Sequence, residues 1–236
     1  MPPSLNPDLH DTQSGPSPAR WGHEILRRLR HHFVLKFLGI SGFMSLFFQG
    51  YFYLLLNPAR PVTVMPLTAL DHWITFQPSA LAAYLSLWFY VGIPAGLMAS
   101  LRQLVVYGAW VAALCLTGLA CFYVFPTAVP APLSPVDVAQ HPAFGLLQGV
   151  DAAGNASPSL HVASAVFSAL WIERLLREVG APWPARATNG VWVTLIVYST
   201  LAVKQHVVLD AVAGTLLALP FAWASLRFFP WTRLAR

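Results

Sequence analysis

Long apolar stretches constrain this chain most, because each of them has to be kept away from water. Only 10% of its 236 residues are charged, whereas 56% are hydrophobic. A soluble domain carries about 25% charged residues, so this chain cannot cover a water-facing surface. A membrane-spanning helix needs roughly 20 mainly apolar residues. Six stretches approach that length, at residues 33–56, 79–100, 105–125, 161–176, 190–203 and 207–226. We therefore predict an all-α integral membrane protein with six transmembrane helices in a compact bundle.

Two segments precede the first apolar stretch. Residues 1–19 are rich in Pro, Ser, Asp and Asn, which predicts a disordered tail. Residues 20–32 place arginines among leucines and an isoleucine, a pattern typical of a basic helix at the membrane interface. The membrane domain then occupies residues 33–230.

The distribution of basic residues predicts an orientation, because Lys and Arg favour the cytoplasmic side of a membrane. If the six stretches alternate in direction, most basic residues fall on one side, with both termini in the cytoplasm. The opposite, non-cytoplasmic face receives the candidate site residues Arg60, His161, Lys204, His206 and Asp210. In a bacterial cell, that membrane would be the plasma or inner membrane.

Ionisable side chains at the edge of hydrocarbon are costly, and they usually mark functional sites. His206 and Asp210 are four residues apart, so at the start of a helix they would share one face. The carboxylate could then orient one imidazole nitrogen and make the other a better nucleophile.

A second polar group precedes the fourth stretch. Ser159 and the free N–H groups of a helix start could hold an anion, and His161 could protonate a leaving oxygen. Positive charge could come from Lys204 and Arg60, although Arg60 could also extend to lipid phosphates alone. Each histidine by itself could be a packing residue at the interface. As a set on one face, these residues supply what phosphoryl transfer needs.

The motifs Pro-Ser-x-His, ending at His161, and Ser-x6-His-x3-Asp, ending at Asp210, resemble the second and third signatures of the type-2 phosphatidic acid phosphatase superfamily. This resemblance implies an all-helical membrane fold and catalysis without a metal or other cofactor. It implies that His206 attacks phosphorus to form a phosphohistidine, that Asp210 assists it, and that His161 protonates the leaving alkoxide. Ser159 and Ser199 match phosphate-binding positions.

The sequence departs from the family pattern in three places. Leu160 replaces a common glycine, and Thr200 replaces a common phosphate-binding arginine, whose charge Lys204 would supply. The first motif is partial, since Arg60 matches its end but Tyr53 replaces its lysine. The Pro-Ser-Leu-His variant is more similar to the branch related to inositol phosphorylceramide synthases, as are residues 66–71 and 78–84.

We predict a membrane enzyme that cleaves a lipid phosphate ester or diphosphate at the outer face. Its partners would be the membrane and a phospholipid or lipid phosphate, with no nucleic acid. One alternative is a phosphotransferase that moves a phospho-headgroup to an alcohol acceptor, because both reactions share the first step. A second alternative is a non-catalytic protein that binds lipid headgroups. A transporter is disfavoured, because the polar residues gather at span ends.

Overall fold

A computed structural model describes residues 18–130 and 154–231. The predicted tail lies outside this part of the chain, except for its last two residues, which begin a helix. The long helices are α1 (Pro18–Arg30), α2 (Phe33–Leu56), α7 (Leu101–Val124), α8 (Leu160–Glu178), α9 (Trp183–Ala202) and α10 (Val208–Phe228). The short helices are α3 (Ala69–Trp73), a 3-10 turn (Pro78–Ala80), α4 (Leu81–Leu85), α5 (Leu87–Tyr90) and α6 (Ile93–Gly96). Strands β1 (Thr63–Val64) and β2 (Thr127–Ala128) pair in parallel.

Four helical segments of the described chain are long and apolar enough to cross a membrane, namely Phe33–Leu56, Pro78–Gly96, Leu101–Val124 and Val208–Phe228. They confirm the predicted class, an all-α protein of the membrane. The fourth and fifth predicted spans form α8 and α9, with 19 and 20 residues, but neither meets the same requirement of apolarity. The six-span arrangement and the placement of the termini stay predictions.

The second predicted span, 79–100, is a succession of short helices instead of one regular helix. Turns separate α4, α5 and α6, and Pro94 lies near the start of α6. Proline has no N–H to donate to the preceding turn and crowds the carbonyl four residues earlier. The interruption lets this segment follow the surface of α8, which it contacts through α5 and α6.

Helix α8 lies at the centre of the described bundle, where it packs against α7, α9 and α10. Its Phe167, Trp171 and Leu175 are buried in the main core. Two glycines allow close approach at its start. A Cβ at Gly118 would lie 2.3 Å from the Leu160 side chain, and a Cβ at Gly214 would lie 2.3 Å from the Ser159 carbonyl oxygen. Ser168 of α8 is buried, whereas its Arg174 and Arg177 are exposed. These polar and charged residues make α8 less apolar than its neighbours.

Contacts between helix ends place Arg28 and Lys36 at one end of the bundle. Arg28 of α1 donates to Glu178 at the end of α8, at 3.0 Å. Lys36 near the start of α2 donates to the carbonyl oxygens of Gly96 and Met98, at 2.7 and 2.8 Å. We call this the basic end.

The opposite end contains the start of α8, the end of α9 and the start of α10. The backbone N–H of Ser159 donates to the carbonyl oxygen of Asp210 at 3.1 Å. The β1–β2 pair lies beside them, because the Thr127 hydroxyl accepts from the backbone N–H of Ser157 at 2.7 Å. We call this the site end.

Candidate active site

The turn between α9 and α10 positions His206. The carbonyl oxygen of Thr200 accepts hydrogen bonds from the N–H groups of Gln205 and His206, each at 3.1 Å. Lys204 adopts a left-handed conformation, with φ of 60°, which closes the turn. His206 therefore lies just before α10, whereas its spacing from Asp210 predicts a position within the start of that helix.

Asp210 lies in the first turn of α10, and its side chain is fully buried. Its Oδ2 accepts a hydrogen bond from the N–H of Val207 at 3.0 Å and lies 3.6 Å from His206 Nδ1. Within the described residues, His206 Nδ1 and Asp210 Oδ1 are both buried without a hydrogen-bond partner. The distance of 3.6 Å between Nδ1 and Oδ2 is longer than an ordinary hydrogen bond.

His161 lies in the first turn of α8, among aromatic rings. It stacks on Tyr84, with ring centroids 4.3 Å apart and planes at 15°, and it meets Trp88 edge-on at 5.2 Å. The centroids of His161 and His206 are 6.1 Å apart. The two imidazoles are therefore close enough to act on a single phosphate group.

Ser159 and Ser199, the two predicted phosphate-binding serines, are both fully buried. The Ser159 hydroxyl oxygen accepts from the N–H of Val162 at 3.2 Å, which makes it the N-cap of α8. The Ser199 hydroxyl donates to the carbonyl oxygen of Ile196 at 2.7 Å. The structure thus shows both hydroxyls in backbone hydrogen bonds, and their phosphate-binding role stays a prediction.

Lys204 lies at the site end, as expected, but its ammonium group is held by a loop. It donates to the carbonyl oxygens of Asp71 and Ile74. Burial lowers the pKa of Lys204, while the nearby Asp71 opposes this shift. Since an ammonium group has three donors, one remains for a substrate oxygen.

Asp71 is a site-end residue to which the sequence motifs assign no role. Its Oδ2 accepts from the backbone N–H and the hydroxyl of Thr68, each at 2.7 Å. Its Oδ1 accepts from the N–H of Val208 at 2.8 Å, at the start of α10. The Thr-x-x-Asp spacing is the signature of a capping box, and it could have identified the turn, although not the contact with α10.

Arg60 is exposed in the loop between α2 and β1. Within the described residues it forms no hydrogen bond or ion pair with the histidines, the serines or Asp210. The structure therefore places Arg60 near the site end without bringing it into the site.

A largely apolar cavity of about 650 Å³ lies in front of the histidines. Its polar end is formed by His161 and His206, together with Tyr84 and Asn155. From there it extends between α2 and α7 as far as Lys36, near the basic end. Within residues 18–130 and 154–231, no three His, Cys, Asp or Glu residues are grouped so as to hold a metal ion.

The family model described as the PAP2 superfamily matches residues 64–224. This range begins in β1, ends within α10, and includes every candidate site residue except Arg60. Neither a curated protein nor a solved structure matches the chain significantly.

Proposed function

This chain belongs to the PAP2 superfamily, and we propose that it is an integral membrane phosphatase that cleaves a lipid phosphate ester or diphosphate through a phosphohistidine on His206. Members of this superfamily are generally phosphatases or phosphotransferases. The observation that carries the proposal is the position of His206, between the buried carboxylate of Asp210 and the ring of His161, at the end of an apolar cavity.

His206 is the proposed nucleophile. With its Nδ1 proton directed at Asp210, its Nε2 lone pair is available to attack phosphorus. A P–N bond forms as the P–O bond to the lipid alcohol breaks, and the buried carboxylate stabilises the charge that develops on the imidazole. The 3.6 Å separation of Nδ1 and Oδ2 is compatible with this role, because catalytic hydrogen bonds are often long in free enzymes.

His161 is the proposed proton donor to the leaving alkoxide. Its contacts with Tyr84 and Trp88 restrict the orientation of its ring. After the lipid alcohol departs, neutral His161 accepts a proton from water, which attacks phosphorus and releases His206. The third N–H of Lys204 and the N-terminal end of α8 are the proposed contacts for phosphate oxygens, on the non-cytoplasmic face of the membrane. No step in this scheme needs a metal ion.

A phosphotransferase is the second candidate, and the Pro-Ser-Leu-His variant at residues 158–161 favours it. The first half-reaction is unchanged, and an acceptor alcohol replaces water in the second. Products separate the two functions. Free phosphate as the only new phosphorus compound supports the phosphatase, whereas a new phospholipid in the presence of an acceptor supports the transferase.

Trapping the intermediate tests the mechanism. Protein mixed with labelled phosphatidic acid, polyprenyl diphosphate or phosphatidylinositol and then denatured should carry acid-labile phosphate, which His206→Ala removes. The exposed His72 of α3 provides a control, because His72→Ala should label normally. Turnover of every substrate by His206→Ala at the normal rate would contradict the proposal, and binding without turnover in the unaltered protein would support a non-catalytic role.

The proposed acid requires a different substrate comparison. His161→Ala should lose about 10²- to 10⁴-fold in kcat on an alkyl phosphate, the usual contribution of a general acid. It should lose much less on an aryl phosphate, whose leaving group needs no proton. Equal losses on both substrates would contradict the role of His161 as the proton donor.

A further inference from the structure

The apolar cavity is continuous with the candidate active site. Its lining includes His161 and His206 at one end and Lys36 at the other. Between these ends the wall consists mainly of one face of α2 and one face of α7. A lipid whose phosphate reaches His206 therefore has a path for its hydrocarbon directly beside the reacting group.

The length of this path follows from α2. Lining residues run from Lys36 to Tyr51 at helical spacing, and at about 1.5 Å per residue this distance is about 22 Å. One leaflet of a bilayer has a hydrocarbon depth of about 15 Å, half of the usual 30 Å core. The cavity is thus longer than one leaflet.

The path is wide enough for an extended hydrocarbon chain, because a volume of about 650 Å³ is available over a length of about 22 Å.

Among the described residues of the deep end, Lys36 is not available to a second anionic group. The Lys36 ammonium donates to the carbonyl oxygens of Arg28, Gly96 and Met98, at 2.7, 2.7 and 2.8 Å. All three of its donors are therefore used. What remains for a ligand at this depth is apolar surface.

We infer that this cavity holds extended hydrocarbon of the substrate lipid, and that the chain passes the middle of the membrane before the cavity ends at Lys36. The inference rests on the proposed function for its polar end. It predicts a preference for substrates with a long chain, and it makes the depth of the cavity the property that sets this preference.

Two glycines in the wall allow the depth to be changed. Gly39 of α2 and Gly108 of α7 both line the cavity, and a Cβ at either would meet no atom within 4 Å. We therefore expect a leucine at either position to extend into the cavity. Gly42 of α2 is equally open but is not part of the lining, so Gly42→Leu is a matched control.

The test compares kcat/KM for octanoyl, dodecanoyl and oleoyl lysophosphatidic acid, all of which carry one chain. Gly108→Leu should lower the oleoyl-to-octanoyl ratio about tenfold, the usual scale of overpacking. Gly39→Leu, which is nearer to Lys36, should lower the oleoyl-to-dodecanoyl ratio and change the dodecanoyl-to-octanoyl ratio less. Gly42→Leu should keep both ratios of the unaltered protein. Unchanged ratios in both lining variants would overturn the inference.

A binding measurement covers the case in which these probes are not turned over. A stearyl phosphonate with a photoreactive group at the end of its chain should cross-link to the deep parts of α2 and α7, near Gly39 and Val105, and Gly108→Leu should abolish this product. Cross-links spread over the outer helix surfaces would overturn the inference.

The two proposals fail separately. Turnover by His206→Ala together with a shifted chain preference in Gly108→Leu would remove the phosphohistidine and leave the chain site. A trapped phosphohistidine together with unchanged chain ratios would do the reverse.

Discussion

Asp71 connects the loop before the 3-10 turn to the start of the helix that carries Asp210. Its carboxylate accepts hydrogen bonds from Thr68 and Val208, and its carbonyl oxygen accepts one from Lys204. It is buried, so water cannot replace these bonds. We infer that Asp71 is a positioning residue, which acts on His206 through the turn that precedes α10.

Asp71→Ala should lower kcat about 10- to 100-fold and change KM less. The substitution leaves buried N–H groups without acceptors, at about 1 to 3 kcal/mol each, and it frees the turn at His206. Asp71→Asn should recover part of the activity, because its side-chain oxygen can still accept from Val208. Steady-state kinetics gives kcat and KM for both variants, and the rate of phosphoenzyme formation reports the step at His206. A lower melting temperature with unchanged phosphorylation would mean that Asp71 is only structural.

At this scale the sequence predicted which residues meet, but not always how they meet. His206 and Asp210 are neighbours, although His206 precedes the helix, because the turn at Lys204 directs it back toward the first helical turn. Ser159 caps α8, which the sequence did not predict, and its role in holding an anion stays a prediction. The contact of Asp71 with Val208 joins residues 137 positions apart, and no local pattern encodes such a pair.

At the scale of elements, the site depends on the close approach of α8 and α10. Gly214 of α10 lies against the carbonyl of Ser159, and one turn earlier Asp210 accepts a hydrogen bond from the same residue. His161 belongs to one of these helices and Asp210 to the other. Their separation therefore sets the geometry of the proposed acid and nucleophile.

Gly214→Ala should destabilise the protein and reduce activity together. The new Cβ would lie 2.3 Å from a backbone oxygen, so the helices must move apart, at a cost of about 1 to 3 kcal/mol. Gly190→Ala in α9 is the control, because a Cβ there meets nothing within 4 Å and alanine favours a helix by up to about 1 kcal/mol. The melting temperature in detergent measures the loss of stability, and the yield of phosphoenzyme measures the loss of activity. Normal values for Gly214→Ala would show that the helices are not packed as described.

Helix α1 is held to the bundle by a buried ion pair. Arg28 is 2% exposed and bonds both Glu24 and Glu178. The sequence predicted a basic helix here but gave no reason to bury one of its arginines. That reason lies in Glu178, at the far end of α8, and again no local spacing indicates it.

Arg28→Ala should lower stability by about 3 to 5 kcal/mol, because it leaves a buried carboxylate without its partner. Arg27→Ala removes an exposed partner of the same Glu24 and should cost at most about 1 kcal/mol. Denaturation in mixed micelles compares the two, and equal losses would contradict the burial of Arg28.

The same cluster has an expected pH dependence. The hydrogen bond from Arg27, with that from Arg28, lowers the pKa of Glu24 from 4.5 to about 2 against the effect of burial. A lowered pKa stabilises the folded state above the unfolded value, so the contribution of Glu24 should be complete above about pH 4.5 and lost as the pH falls toward 2.

At the scale of the whole molecule, the chain alternates between a basic end and a site end. The apolar stretches and the basic residues between them predict such an alternation, and its relation to the two membrane faces stays a prediction. The fourth apolar stretch ends at residue 176, but α8 continues to Glu178. Glu173 forms ion pairs with Arg177 and Arg186 in this region. Such pairs let a helix continue past the point at which an apolar run ends.

The predicted orientation can be tested with cysteines at the two ends. In a background with Cys115→Ala and Cys121→Ala, Arg60→Cys and Arg102→Cys provide exposed thiols. An impermeant maleimide added to intact cells should label the first, and it should label the second only after permeabilisation. The reverse pattern would place the site on the cytoplasmic face.

The hydrogen bond between Asp71 and Val208 also has a consequence for biosynthesis. Chains emerge from the ribosome with the N-terminus first, so α2 and α7 are made long before α10. Until α10 has been inserted beside α8, the carboxylate of Asp71 cannot accept the hydrogen bond from Val208, and the N–H of Ser159 cannot donate to the carbonyl oxygen of Asp210. The proposed nucleophile, His206, also has no carboxylate beside it. A partly synthesised chain would therefore already have much of the wall of the lipid cavity while still being unable to react with a lipid.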